Sequence, residues 1–249
     1  EGPVKRISAQ SLISQLLKAE PPMVYAGHDP NKPSTDASMI TSLTNLADRE
    51  LVAMISWAKK IPGYSDLSLD DQVHLLQCCW LELLILGLVW RSMHHKGKLI
   101  FAPDLILDRE QSKRVSGMTE ICDQVLEIAH RFKQLKVQRE EYVCLKAITL
   151  LNSGLFHPLG AEMQGLEDLE QVRQIQDNIT DALRNTCAKS HYNNPDPLRR
   201  LAQLLMLLSH VRQVSNRGIE HLYSMKNAGV VPFHNLLLEM LDAQTIESL

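Results

Sequence analysis

Glu50, Arg91 and His221 each interrupt an apolar run at helical spacing, and each carries a group able to accept, donate or move a proton. Leu43, Ala47, Glu50 and Met54 fall at i, i+4, i+7 and i+11, so they share one face of a helix. Leu81, Leu84, Leu88 and Arg91 fall at i, i+3, i+7 and i+10, which sets a guanidinium at the end of a second apolar stripe. His221 follows Gly218 by one turn, adjoins Leu222 and has Met225 a turn beyond. A buried carboxylate is costly unless it is paired, so Glu50 requires a partner, and Arg91 is the candidate.

An acid, a base and a cation suggest catalysis, yet no nucleophile elbow, phosphate loop or metal-ligand spacing accompanies them, so an enzyme is not expected. Two readings remain. Glu50 and Arg91 form a structural ion pair while His221 is an ordinary core histidine. Alternatively, the three groups mark the polar ends of a mostly apolar cavity, the usual design of a small-molecule pocket in which the glycine at 218 removes side-chain volume. No cofactor is expected under either. Cys78, Cys79, Cys122, Cys144 and Cys187 are odd in number, lack C-x-x-C spacing and read as reduced core residues.

A second pair of charges points the other way. Lys59 lies nine residues after Glu50, about half a turn out of phase, so it faces outward if Glu50 faces inward. With Lys60 it stands in the last turn before Pro62-Gly63, where cations favour the exposed carbonyls. Near the C-terminus, NAGVVPFHNLLLEMLDA gives a glycine-containing connection, then a short helix with Leu236, Leu237, Met240 and Leu241 on one side and Glu239 off that side. Such a helix is marginal alone and must dock. An exposed lysine and an exposed glutamate at the ends of an apolar groove suit a short partner helix held by its two ends.

The elements that must position these groups are almost all helices. Periodicity predicts them over 8–18, 38–60, 69–93, 117–135, 138–151, 166–188, 196–225 and 232–243. KLIFAPDLILD, 98–108, alternates around Ala-Pro-Asp and predicts a two-stranded hairpin. The loop 21–33, with four prolines and a glycine, is expected to be extended and mobile. With 45% hydrophobic and 22% charged residues and no repeat or long linker, the 249 residues are expected to form a single domain, 1–249. The apolar stretch 78–90 is shorter than a membrane span and contains Glu82, so it predicts a helix covered on both sides in a stacked, layered all-α domain. A net charge of −3 gives no reason to expect nucleic acid or a membrane as a partner of this segment. The polar N-terminal stretch shows no secretory signal, which points to the cytosol or nucleus.

W-A-K-x-x-P-G-Y-x-x-L-x-x-x-D-Q-x-x-L-L over 57–76 resembles the signature of nuclear receptor ligand-binding domains. NLADRELV (45–52), GLVWRSM (87–93), LLNSG (150–154), LAQLLMLLSHVR (201–212), GIEHLYSMK (218–226) and LLLEML (236–241) resemble the estrogen receptor branch, as a divergent, ancient-type or invertebrate member. The resemblance implies a three-layer antiparallel helical sandwich around a buried pocket. It implies that a steroid's phenolic hydroxyl is bound by Glu50 and Arg91 and its distal hydroxyl by His221. Leu43, Ala47, Leu84 and Leu88 match steroid-lining positions, as do Phe101, Met118, Ile121 and Leu222. The C-terminal helix is implied to close the pocket and complete a groove for LxxLL coactivator helices. Lys59 and Glu239 would clamp that groove, with Gln72, Leu76, Leu236 and Met240 in its walls. A planar apolar ligand with a polar group at each end suits these residues.

Three departures bear on these expectations. His234 and Asn235 stand where the branch carries tyrosine and aspartate, Ser116 replaces an acidic residue that orients the histidine, and Cys122 replaces a phenylalanine. The resemblance also implies a homodimer through 196–225, nuclear residence compatible with shuttling to the cytoplasm, and DNA contact only through a zinc module outside this chain. The competing expectation is a constitutive, ligand-independent coactivator-binding module whose pocket is filled or vestigial.

Overall fold

A computed structural model describes residues 7–29, 31, 35–115, 117–153, 166–189, 196–229 and 235–246. Among these the chain is all-α apart from one hairpin, the class that the periodicity predicts. In order the elements are α1 (Ala9–Ala19), α2 (Asp36–Ala58), a 3-10 turn (Tyr64–Asp66), α3 (Leu69–Ser92), β1 (Lys98–Ala102), β2 (Leu105–Asp108) and α4 (Arg109–Ser112). There follow α5 (Met118–Gln134), α6 (Arg139–Asn152), α7 (Leu169–Lys189), α8 (Pro197–Asn227) and α9 (Asn235–Ile246).

Helix α2 stops at Ala58, two residues before the expected end, so Lys59 and Lys60 form the closing turn. Proline disfavours helical backbone in the residue before it, and the turn is tightened by Lys60 N donating to Trp57 O and Ile61 N to Ala58 O. The single turn α4 was not expected. Asp108 and Gln111 build a reciprocal capping box there, at 2.8 and 2.9 Å, and the D-x-x-Q spacing was its sequence signal. Ser116, Gly154 and His234, which carried sequence expectations, lie outside the described residues, and Asn235 is described by its backbone alone.

The backbone gathers into two compact units, one of 1–21, 55–78 and 138–206, the other of 22–54, 79–137 and 207–249. In the first, α1, α6 and α7 pack on one another. Every residue of α6 from Glu141 to Leu151 is buried, so its polar groups must find partners. Glu141 takes a two-pronged contact from Arg200 at 3.0 and 2.8 Å. Lys146 reaches Glu20 at 2.8 Å and lies over the Trp57 ring, 4.5 Å from its centroid. Asp71, fully buried, accepts the backbone N–H groups of Glu167 and Asp168.

In the second unit the hairpin pairs antiparallel, Leu99 with Leu107 and Ile100 with Ile106, and the register shifts between Ile100 and Ala102. Leu105 and Leu107 are buried while Ile106 is exposed, the alternation of a half-covered strand. The segment 22–29 is the described part, apart from Pro21 and Asn31, of the loop expected over 21–33. It is extended, but Asp104 at the hairpin tip accepts the N–H groups of Ala26, Gly27 and His28 at 2.8 to 3.2 Å. Arg49 donates to the carbonyls of Tyr25 and Ala26. Desolvation is the largest single influence on the Asp104 carboxyl and raises its pKa, but the backbone N–H groups together outweigh it and hold the group below its ordinary value. Ala26 is buried and joins the cluster of Met39, Leu46, Leu105 and Leu107. Nothing in PMVYAGHD signals this anchoring, because the segment contributes only backbone groups to these bonds.

Helix α3 is long and apolar enough to cross a membrane by length and composition, which the expectation from 78–90 understated. More than half of its apolar window is covered by the protein itself, and its Glu82 is paired with Arg212 at 3.3 Å. Glu82 of α3 thus meets a guanidinium from α8, the kind of pairing a buried carboxylate requires.

Candidate ligand-binding site

The second unit encloses a cavity of about 170 Å³. All twelve residues expected to meet a ligand line it, and they come from four helices and a strand. Helix α2 contributes Leu43, Ala47 and Glu50 along the stripe read from the sequence; Met54 continues that stripe, buried but outside the cavity. Helix α3 contributes Leu84, Leu88 and Arg91 together with Leu81, β1 contributes Phe101, and α5 contributes Met118 and Ile121. Helix α8 contributes Gly218, His221 and Leu222.

At one end Glu50 Oε1 lies 3.4 Å from Arg91 Nη2, both side chains being about one-fifth to one-quarter exposed. Arg91 Nε donates to Ile100 O at 2.9 Å, and Ser92 Oγ accepts from Ile100 N at 2.8 Å, so β1 fixes the guanidinium. The Glu50–Arg91 distance is long for a direct hydrogen bond. A hydroxyl placed beside both groups could donate to the carboxylate and accept from the guanidinium. Glu50 and Arg91 are therefore paired, as the structural reading expects, and the pair also lines the cavity.

Burial lowers the pKa of His221 from its ordinary value, which favours the neutral ring. Its Nε2 is enclosed and has no hydrogen-bond partner among the described residues. Gly117, which the sequence did not single out, explains how the ring fits. A Cβ on Gly117 would overlap His221 Cε1 and lie 2.7 Å from Nδ1, and the backbone there has φ +79°, a region that disfavours side chains. Gly218 has a related role, since a Cβ there would stand 2.8 Å from Leu81 Cδ2. Glycine thus lets α8 approach α3.

Helix α9 reaches the same cavity through Leu237, which is buried. The backbone N–H of Leu237 donates to Asp48 Oδ1 at 3.2 Å, so α2 caps the first turn of α9, and Lys226 pairs with Asp242. Neither anchor was expected, because Asp48 lies off the apolar stripe and nothing local marks it. Trp80, Thr44 and Met225 also line the cavity. Trp80 was legible in retrospect, since it extends the Leu84–Leu88–Arg91 stripe backward by one turn. Cys122 is in the wall too, and burial pushes its thiol up to about 11, which keeps it protonated at neutral pH.

The six groove residues divide between the units and are described one by one. In the first unit Lys59 is exposed, Gln72 is half-buried with its side chain donating to Leu67 O, and Leu76 is buried. In the second, Leu236 is half-buried, Glu239 exposed and Met240 buried, as the stripe on α9 predicts. A further cavity of about 300 Å³ between α5 and α8 is lined mostly by charged and polar residues. Its arginines are engaged, Arg131 with Glu127 and His210, Arg217 with Glu120.

An apolar chamber with polar groups at separate points, reached by a capped helix, has the make-up of a small-molecule pocket. Residues 28–227 match the family of the ligand-binding domain of nuclear hormone receptor, and the chain belongs to that family. Its helical-sandwich fold class is the family's.

Within it, the chain is similar to estrogen receptors. It is 55% identical over 247 residues to the estrogen receptor of Taeniopygia guttata, covering 99% of this chain and 42% of the relative. It is 52% identical to the estrogen receptor of Anolis carolinensis, covering 99% and 71%, and 53% identical to estrogen receptor beta of Anguilla japonica, covering 100% and 43%. The chain spans about two fifths of the length of the first of these relatives.

Proposed function

We propose that this chain is the ligand-binding domain of a nuclear, ligand-regulated transcription factor, and that its cavity takes a steroid-like molecule of the estrogen class. We read 1–249 as one domain, supported by a single family match that runs through both compact units. The observation that carries the ligand reading is the make-up of the cavity: Glu50 and Arg91 at one point, His221 with an unpartnered nitrogen at another, and apolar side chains elsewhere. A phenolic hydroxyl would lie between Glu50 and Arg91 and a distal hydroxyl at His221.

The cavity's volume makes this reading specific. About 170 Å³ is close to a cavity that holds one aromatic ring, so a steroid requires the wall to yield, and the unbranched Met118 and Met225 can do so. A ligand touching Leu237 interacts with α9 only in its docked position, and so shifts α9 toward that position. Docked α9 would then present Glu239, with Lys59, Gln72, Leu76, Leu236 and Met240, to an LxxLL coactivator helix. Homodimerisation through 196–225 and DNA binding through a module outside this chain complete the proposal.

A thermal-shift panel of steroids on the purified domain tests it. Stabilisation by phenolic steroids, reduced in Glu50→Gln and His221→Ala, is expected; no stabilisation by any steroid would sink the reading. A second reading has two observations in its favour. Asp48 and Lys226 anchor α9 through protein groups alone, and the cavity is smaller than the roughly 300–1,000 Å³ usual for ligand pockets. As a constitutive module, ligand-free protein would bind LxxLL peptide tightly, and lose it in Leu237→Ala or Lys59→Ala but not in Glu50→Ala.

A further inference from the structure

Trp80 is wholly buried and lines the cavity, yet its indole Nε1–H has no acceptor among the described residues. Indole is a donor only, and a buried tryptophan N–H usually finds a partner. Trp80, Leu84, Leu88 and Arg91 fall at i, i+4, i+8 and i+11 on α3, so they belong to one stripe. At about 1.5 Å per residue, Trp80 lies about 16 Å along the helix from Arg91. Its N–H is therefore remote from the Glu50–Arg91 pair.

The other polar groups of the lining are few. The Thr44 hydroxyl bonds the carbonyls of its own helix, Ile40 and Thr41, and Cys122 remains a thiol. A water at Trp80 needs two to four polar partners, which a lining this apolar supplies poorly. An oxygen carried by the body of an apolar ligand needs only the one donor.

Building on the proposal that the cavity takes a steroid-like ligand, we propose that Trp80 is a third polar contact, and that the preferred ligand carries an additional oxygen acceptor, of the carbonyl or ether class, to meet its indole N–H. Trp80 then sets specificity among ligands that satisfy Glu50, Arg91 and His221 equally.

The test uses phenolic steroids that differ only in the position of one keto oxygen, with the deoxo parent as control. At least one isomer is expected to bind the native domain about two- to tenfold more tightly than the parent, the worth of one neutral hydrogen bond. Trp80→Phe keeps most of the ring and removes the N–H, and should abolish that preference while changing the parent's affinity less than the isomer's. In native protein the Trp80 indole N–H resonance should move with that isomer and stay with the parent, a reading that does not depend on the variant folding. If the parent binds and Glu50→Gln weakens it, but no keto isomer is preferred or moves the Trp80 resonance, Trp80 is no contact and the ligand reading stands. Equal loss for isomer and parent in a folded Trp80→Phe also overturns the inference. If no steroid of the set binds native protein, the ligand reading and this inference fall together.

Discussion

Replacing Gly117 with alanine tests whether His221 is held in place by the absence of a side chain on a neighbouring element. Two effects add. A β-carbon residue in the left-handed region costs about 1–2 kcal/mol, and Gly117 has φ +79°. The new Cβ would also lie 2.7 Å from His221 Nδ1 and closer still to Cε1, against an ordinary contact of about 3.5–4.0 Å, so the ring must retreat by more than about 1 Å. That retreat takes Nε2 out of hydrogen-bond range of a ligand placed for the native ring. The first effect lowers stability by about 1–2 kcal/mol, or about 2–8 °C in Tm for a chain of this size. The second removes one neutral hydrogen bond, about 0.5–1.5 kcal/mol, or about two- to twelvefold in steroid Kd. Thermal melts and fluorescent-ligand titrations on native protein, Gly117→Ala, His221→Ala and the double variant separate them. If the glycine acts through the histidine, the affinity loss disappears in the His221→Ala background while the Tm loss persists. Native affinity in Gly117→Ala, or an undiminished affinity loss in the double variant, would refute the argument.

Asp48→Ala removes the acceptor at the first turn of α9, worth about 0.5–2 kcal/mol for a cap, and should weaken LxxLL-peptide binding about two- to thirtyfold at saturating ligand; peptide fluorescence anisotropy reads it, and an unchanged Kd contradicts the cap. Burial pushes the thiols of Cys122 and Cys187 up to about 11 and that of Cys144 up to about 12, so iodoacetamide at pH 7.5 should leave all three unmodified in folded protein, as intact mass would report. The lowered pKa of His221 means that the unfolded chain binds this proton first as pH falls. Its contribution to stability is lost as pH drops from above about 6.5 toward the depressed folded value, and is level below that. His221→Phe should show a shallower loss over that window in urea titrations, and parallel curves would contradict the assignment.

The stripes on α2 and α3 were legible because helical period alone assigns a face, and a charge among leucines on that face is conspicuous. Their crossing at Glu50 and Arg91 required only the rule that a buried carboxylate be paired. What stayed hidden depends on backbone groups and on contacts distant in sequence. Asp104 holds 22–29 through backbone N–H groups, Asp48 caps a helix 189 residues away, and Gly117 matters for what a side chain would strike. None of these leaves a periodic trace. The end of α2 was misjudged by two residues because lysine is acceptable both in a last helical turn and in the turn beyond it.

The central claim is that what fills the cavity governs what the surface recruits. The most direct measurement is the Kd of an LxxLL peptide for the purified domain, without and with a saturating phenolic steroid that bears a distal hydroxyl. The account predicts that the steroid tightens peptide binding about five- to 150-fold, that the peptide tightens steroid binding by the same factor, and that Glu50→Gln removes both effects by abolishing occupancy. Tight peptide binding that is the same with and without steroid would contradict it.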